Sequence, residues 1–310
     1  MRTPTGKGGY WKRNWDLYLM SLPGILFLII YKFVPIYGLT LAFKDFNLFA
    51  GNGVVDSVLK SPWVGFKHFE RIFHSSEFIQ IITNTLLISI YKIVFLFPLP
   101  IILAVLLNEV RIRWFKKTVQ TLVYLPHFLS WVVIFGLFYA LLGTYGVVNQ
   151  LLDWLFGIGP IRFFTDESIF RSLLVASEGW KEVGWNAIVF LAAITAIDPQ
   201  LYEAAMMDGA NRFKRIIHIT IPGMLPVIIL MFILRLGNIL NAGFEQILAM
   251  YNPSVYSVAD VIQTYVYRVS LGQMDFSLGT ALGLFESVIA FIIIVGSNAV
   301  CRKTLGRSLW

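Results

Sequence analysis

The sequence predicts an all-α membrane protein with six transmembrane helices, and three observations carry that expectation. Hydrophobic residues make up 57% of the chain and charged residues only 14%, with a mean hydropathy of +0.71; an ordinary soluble domain has a very different balance. Six apolar stretches, near 17–43, 79–107, 119–142, 172–197, 223–243 and 278–301, reach the roughly 20 residues needed to cross about 30 Å of hydrocarbon. Basic residues gather in the connections on one side of those stretches and are sparse on the other.

The elements follow in order. The chain opens on a basic tail, residues 1–16, with Arg2, Lys7, Lys12 and Arg13. The apolar run after it is too long and too aromatic for a signal peptide and has no small-residue cleavage site, so it reads as an uncleaved first span. Pro23, Pro35, Pro98, Pro100, Gly136 and Gly237 interrupt several spans, as membrane helices allow where they bend or line a cavity. Further basic clusters lie at Arg111, Arg113, Lys116 and Lys117, at Arg212, Lys214 and Arg215, and at Arg302, Lys303 and Arg307. The positive-inside tendency then puts both termini, the 108–118 turn and the 198–222 loop in the cytoplasm. Segments 44–78, 143–171 and 244–277, which carry Asp45, Asp56, Asp153, Asp166 and Asp260, fall outside. The six-span body is 17–302, followed by a cytoplasmic tail, 303–310. Topology thus accounts for the net charge of +7, and no nucleic-acid partner is needed.

The single cysteine, Cys301, is too solitary for a disulfide or a metal site. His68, His74, His127 and His218 are scattered rather than spaced as zinc ligands, and fit interfacial or hydrogen-bonded roles. No internal repeat of the kind found in secondary carriers is visible.

The segment between the fourth and fifth spans is different in kind. Glu203-Ala204-Ala205-Met206-Met207-Asp208-Gly209-Ala210 is compact and polar, is followed by Arg212, Lys214 and Arg215, and closes on Pro222 and Pro226. A helical turn opened by Glu203, where the helix dipole favours a carboxylate, ends at Asp208-Gly209, a strong helix-exit signal. The second helix is expected to stop at Pro222. The product is a protruding corner about 198–226, smooth with Ala and Met, whose exposed apolar side chains call for a partner's groove.

This segment resembles the EAA loop of ABC importer permeases, in which Glu-Ala-Ala precedes Asp-Gly-Ala and the loop is the coupling helix that docks into a cytoplasmic ATPase. On that likeness the docking residues are Glu203, Ala204, Ala205, Met206, Met207, Asp208, Gly209, Ala210 and Arg212. Ile216 stands where a bulky aromatic is common, and Gly223 follows the proline. A second stretch, Tyr124-Leu125-Pro126-His127-Phe128-Leu129-Ser130-Trp131-Val132-Val133, resembles the third-span opening of the LplB-like branch of these permeases, which includes importers of alginate and other complex polysaccharides. With Trp180, Gly184-Trp185-Asn186 and Ile197-Asp198-Pro199-Gln200-Leu201-Tyr202, the likeness covers roughly 80–300. It implies a type I, MetI-like permease fold of the maltose-transporter kind in the bacterial plasma membrane. It also implies a second homologous permease in a heterodimer, two ATPase subunits, an extracellular solute-binding protein and an oligosaccharide substrate, with membrane lipid around the whole. The chain has no G-x-x-x-x-G-K-[ST] phosphate loop, so it is expected to be non-catalytic, with no cofactor of its own, and ATP and magnesium belong to the ATPase partner.

Polar groups inside the spans are candidates for the substrate path, because ionisable side chains in a bilayer are costly and turn toward a cavity or a partner. These are Lys92, Arg235 and Glu286, with Asn84, Asn238, Asn241, Glu245, Trp185 and Asn186 adding hydrogen-bonding groups and a ring suited to sugar faces. A second reading stands beside the first: Arg235 pairs with Glu286 or with the partner permease, and Lys92 snorkels. Two buried cations suit an acidic sugar; Glu245 and Glu286 weigh against it. An ATP-independent carrier or a channel subunit shares this composition, whereas an intramembrane protease would need a catalytic pair or zinc motif that these spans lack.

Overall fold

The computed structural model describes residues 14–305. These are helical apart from their connections and one isolated antiparallel bridge between Lys44 and Trp63. Arg2, Lys7, Lys12, Arg13 and Arg307, and with them most of the predicted tails 1–16 and 303–310, lie outside the described residues. Five helical stretches are long and apolar enough to cross a membrane: Trp15–Phe43, Ser76–Glu109, Trp131–Phe156, Arg212–Gly237 and Phe276–Lys303. The pair Glu167–Thr195 and Pro199–Met207, bent by 69°, makes a sixth. The chain forms two compact units, Met1–His74 with Val269–Leu284, and Ser75–Arg268 with Phe285–Trp310.

In the first unit, helix α1 (Trp15–Leu28) continues through a π turn, Ile29–Phe33, into 3-10 turns, Val34–Phe43. Only Ala42 of this long rod is buried, which suits a surface clothed in lipid. The rod ends at Phe43, whose ring stacks on Trp63 with centroids 5.7 Å apart and meets Phe66 edge-on at 5.5 Å. Short helices α2 (Val54–Lys60) and α3 (Lys67–Phe73) close around this corner. Lys44 donates to the Val58 carbonyl at 2.7 Å, and Lys67 binds Asp45 at 2.7 Å; that hydrogen bond holds the Asp45 carboxyl below its ordinary value. The returning segment is tied in by Ser277, which donates to the Lys44 carbonyl at 2.7 Å, and by an Arg71–Asp275 ion pair of 2.8 Å.

The second unit is built around one helix. It comprises α4 (Ser76–Leu96), α5 (Pro98–Glu109), α6 (Arg113–Tyr124), α7 (Trp131–Leu142), α8 (Val147–Phe156) and α9 (Glu167–Thr195). After these come α10 (Pro199–Met207), α11 (Arg212–Arg215), α12 (Ile221–Gly237), α13 (Phe244–Met250), α14 (Tyr256–Ala259) and α15 (Ile262–Tyr267). The last helix, α16 (Phe276–Leu305), begins in the first unit and continues in the second. Asp166 caps α9 by accepting from Ser168 N at 2.9 Å. Toward one end of α9, Phe170, Leu173 and Leu174 join Ile88, Ile134, Ile247 and Met250 in a buried core. Toward the other, Ala187, Phe190 and Ile194 pack with Ala104 and Met224. Between the two lies Gly184, where an added Cβ would run into the Val123 carbonyl. The missing side chain lets α6 and α9 approach backbone to backbone, the use to which small residues are put between membrane helices.

Two expectations are corrected. The predicted third span, 119–142, is broken: α6 ends at Tyr124, Leu125–Phe128 form a 3-10 turn, and Ser130 caps a new helix. Pro126 lacks the donor that would continue α6, and the Ser130 hydroxyl offers the next helix its own start. Pro222 does not stop a helix either. The span runs from Arg212 to Gly237 straight through Pro222 and Pro226, because the π turn Ile216–Thr220 widens the hydrogen-bond ladder just ahead of Pro222 and absorbs its missing N–H. The span consequently starts earlier than the predicted 223–243 and ends at Gly237. Gly184→Ala should lower the thermal unfolding midpoint of the purified chain by several degrees, since overpacking costs about 1–3 kcal/mol. Gly136→Ala, which meets nothing within 4 Å, should leave it unchanged; equal midpoints for the two would remove the close approach as a constraint.

Candidate functional site

Two places combine predicted residues with unusual physics: a charge cluster inside the second unit and the corner that follows α9. The first centres on Lys92, which is 1% exposed and is among the largest fully buried side chains. Its ammonium binds the Glu178 carboxylate and donates to the Ala242 carbonyl at 2.6 Å and to Gln246 Oε1 at 2.5 Å. Three acceptors meet the three donors of a lysine. Gln246 is itself held, donating to the Leu174 carbonyl at 2.6 Å and to Ser177 Oγ at 2.7 Å. The other Glu178 oxygen takes Arg235 Nη2 at 2.8 Å. The carboxylate is therefore clamped between two cations, an arrangement that repays part of the large desolvation cost of each charge. Gly243 completes the nest. Its φ is +94°, and a Cβ there would sit 2.7 Å from Lys92 Nζ, so only glycine supplies both the left-handed turn and the space.

This cluster forms one wall of a cavity of about 440 Å³. Glu182, Asn186, Asn238 and Asn241 add polar groups to it, and Phe97, Phe190 and Met231 face them with apolar surface. Of the predicted path residues, Lys92, Asn186, Arg235, Asn238 and Asn241 meet here. The cations differ sharply. Lys92 is enclosed, whereas the Arg235 side chain is 38% exposed with one nitrogen committed to Glu178.

The remaining predicted residues lie elsewhere. Asn84 donates to the Ser257 and Asp260 carbonyls at 3.0 and 3.1 Å and accepts from Arg171 at 2.8 Å, joining α4, α9 and α14 with the residue that ends it. Glu286 accepts from Gln263 at 3.1 Å, so the alternative pairing of Arg235 with Glu286 is corrected: Glu178 is the partner. Glu245 is exposed on α13. Trp185 lies flat against the His127 ring, centroids 4.3 Å apart and planes 1° from parallel. His127 in turn bonds Glu182 at 2.9 Å, and Lys181 donates to the His127 and Leu129 carbonyls at 2.6 and 2.7 Å. The break between α6 and α7 is thereby pinned to α9.

Sequence reasoning passed over Glu178, Lys181 and Glu182, as well as Gln246 and Gly243. A signal for the first three was present. They stand three and four residues apart inside the predicted 172–197 span and share one helix face, where a counter-charge for Lys92 and Arg235 had to be sought.

The corner is folded as its residues dictate. Asp198 caps α10 by accepting from Gln200 N at 2.9 Å, with Pro199 at the first helical position. Glu203 thus sits mid-helix, and the expected start moves four residues toward the N-terminus, to Pro199. Exit is a Schellman motif: Ala210 N donates to the Ala205 carbonyl at 2.8 Å and Gly209 N to Met206 at 3.1 Å, with Gly209 at φ +74°. Asn211 then caps α11 by accepting from Lys214 N at 2.9 Å. Tyr202 and Thr220 hydroxyls, 3.0 Å apart, brace the two arms. Glu203, Ala204, Met206, Met207, Asp208, Gly209 and Arg212 are exposed, while Ala205 and Ala210 are half-buried. Met207 is 89% and Phe213 69% exposed.

Apolar helices of spanning length that turn a charge cluster toward a cavity between them have the arrangement of a membrane transport protein. The chain belongs to the family described as binding-protein-dependent transport system inner membrane component, which it matches over residues 96–303. It is 44% identical over 288 residues, 93% of this chain and 88% of the other, to the polygalacturonan/rhamnogalacturonan transport system permease protein YteP of Bacillus subtilis (strain 168). To Protein LplB of the same organism it is 43% identical over 303 residues, 96% of this chain and 93% of that one. Its fold matches, with a TM-score of 0.87, 40% identity and coverage of 97% of this chain and 99% of the other, a chain in the crystal structure of a bacterial alginate ABC transporter in complex with alginate pentasaccharide-bound periplasmic protein. The all-α permease fold expected from the sequence is the one observed.

Glu178→Leu leaves the buried Lys92 without its counter-charge and should lower stability by about 3–5 kcal/mol, whereas Lys92→Met/Glu178→Leu should cost less than Glu178→Leu alone. Thermal unfolding of both variants in detergent checks this, and additive losses would mean that the pair does not act as a unit.

Proposed function

We propose that this chain is a permease subunit of an ATP-driven, binding-protein-dependent importer of oligosaccharides derived from acidic polysaccharides. It supplies half of the translocation path and performs no chemistry. The substrate class is supported by the relatives: one is named for polygalacturonan and rhamnogalacturonan, and the structural match carries a protein loaded with alginate. Partners in this reading are a second, homologous permease in a heterodimer, two ATPase subunits that hold ATP and magnesium, and an extracellular solute-binding protein. Both termini and the 198–226 corner face the cytoplasm, in keeping with the basic clusters.

The corner is the coupling element, and the observation that carries this is its surface. Met206, Met207 and Phe213 project from a segment capped at both helices, so an apolar, flexible-tipped face is held on a fixed backbone and needs a groove to cover it. When the ATPase dimer closes on ATP, the docked corner moves and α9 carries the displacement toward the cavity. The path runs along Arg235, Asn186, Asn238 and Asn241. Arg235 receives the sugar carboxylate, because its remaining donors are open to the cavity, while Lys92 holds Glu178 in place.

Proteoliposomes containing the assembled importer and its binding protein test both halves. Gly209→Val, which no longer permits the left-handed exit, and Glu203→Lys should each abolish most substrate-stimulated ATP hydrolysis; wild-type rates in both would remove the docking role. Arg235→Met should cut uptake of a uronic-acid oligosaccharide about tenfold or more, the loss of roughly one charge-assisted hydrogen bond, and spare a neutral oligosaccharide of equal length. Equal effects on the two would remove the acidic-sugar assignment, and uptake without ATP would replace the importer by a carrier or channel.

A further inference from the structure

Helix α6 (Arg113–Tyr124) buries none of its residues fully and presents an ordered gradient to its surroundings. At about 100° per residue, its half-buried positions, Lys116, Val119, Gln120, Val123 and Tyr124, form the face turned to the protein, where Val123 meets Gly184. The exposed arc is arranged by chemistry. Arg113 and Lys117 lie along one edge; Trp114, Thr118 and Thr121 follow; Phe115 and Leu122 form the other edge. Trp114 is 71% exposed and Leu122 63%. A shallow groove of about 360 Å³ runs along the boundary, lined by Trp114, Lys117, Thr118, Thr121 and Leu122. No acidic residue stands in the first turn, and Arg111 adds another cation just before the helix.

We infer that this arc is a docking surface for anionic phospholipid headgroups. Charge complementarity selects the occupant. A phospholipid offers both halves in the observed order within a single molecule, with phosphate beside Lys117 and Arg113 and acyl chain beside Leu122 and Phe115. The indole between them is at home at the boundary of headgroup and hydrocarbon. Zwitterionic lipid fills the apolar edge equally well, so the cations make an anionic headgroup the preferred one.

The test uses the full-length chain in nanodiscs of phosphatidylcholine containing a minority of brominated phosphatidylglycerol, or the same amount of brominated phosphatidylcholine. The chain has nine tryptophans, so the Trp114 signal is taken as the difference between the wild type and Trp114→Phe. Quenching of that signal should be several-fold stronger with the brominated anionic lipid, and Arg113→Gln and Lys117→Gln should each weaken the preference about fivefold. The same two substitutions should lower the anionic lipid that co-purifies with the chain, measured by mass spectrometry, while the thermal midpoint stays unchanged. Equal quenching by the two brominated lipids would overturn the proposal, as would loss of the anionic-lipid quenching when the chain is assembled with its partner subunits, which would give the face to a protein.

Discussion

An ammonium group placed among apolar helices has to be answered by acceptors, and much of the second unit is organised by the answer given to Lys92. Its three partners come from α9, from the turn after α12 and from α13. One side chain of α4 therefore fixes where three other segments stand. Removing a single partner leaves a charge whose burial is worth several kcal/mol, so the cluster demands a particular arrangement in a way that apolar packing against lipid-like neighbours does not. Gln246 and Ser177 extend the same demand by another layer, and the left-handed Gly243 exists to leave the ammonium its room.

The two candidate sites are joined by one element. Glu178 lies midway along α9, and the corner begins three residues after that helix ends. From Thr195 back to Glu178 is roughly 25 Å at 1.5 Å per residue, an unbroken rod with Gly184 seated on Val123 near its middle. Only the short break between Thr195 and Pro199, where the chain bends by 69°, separates the corner from the rod that carries the carboxylate holding Arg235. The His127–Glu182 and Lys181 contacts fasten the α6–α7 break at Pro126 to the same rod.

How far these features were legible in the sequence depended on whether the cause was local. Spanning length and apolar composition are local sums, and the spans near 17–43 and 278–301 lie within two residues of the helical stretches observed. Gly209 was readable because a left-handed exit is the business of one residue. Pro222 was misread because the device that tolerates it, a π turn over Ile216–Thr220, leaves no compositional mark. Pro126 erred in the opposite direction: within an apolar run it looks like a proline a membrane helix tolerates, and only Ser130 hints that a new helix starts. The charge cluster needed pairing across 150 residues. Lys92 and Arg235 announced themselves by sitting in apolar surroundings, yet the choice of Glu178 over Glu286 as counter-charge is settled by which helix faces meet, and no single segment contains that information.

The wide spacing of the Lys92 partners has a consequence for how the molecule is made. Chains enter membranes from the N-terminus onward, and α4 is complete long before Ala242 and Gln246, which follow Lys92 by 150 and 154 residues, have been synthesised. A lone lysine at helix-centre depth disfavours insertion by about 2.5–3.5 kcal/mol, a cost that the apolar stretch Ser76–Glu109 carries until the acceptors for Lys92 are in place. The ammonium gains its full set of acceptors only after α9, the turn after α12 and α13 have arrived, so an early span of this permease is completed by late ones.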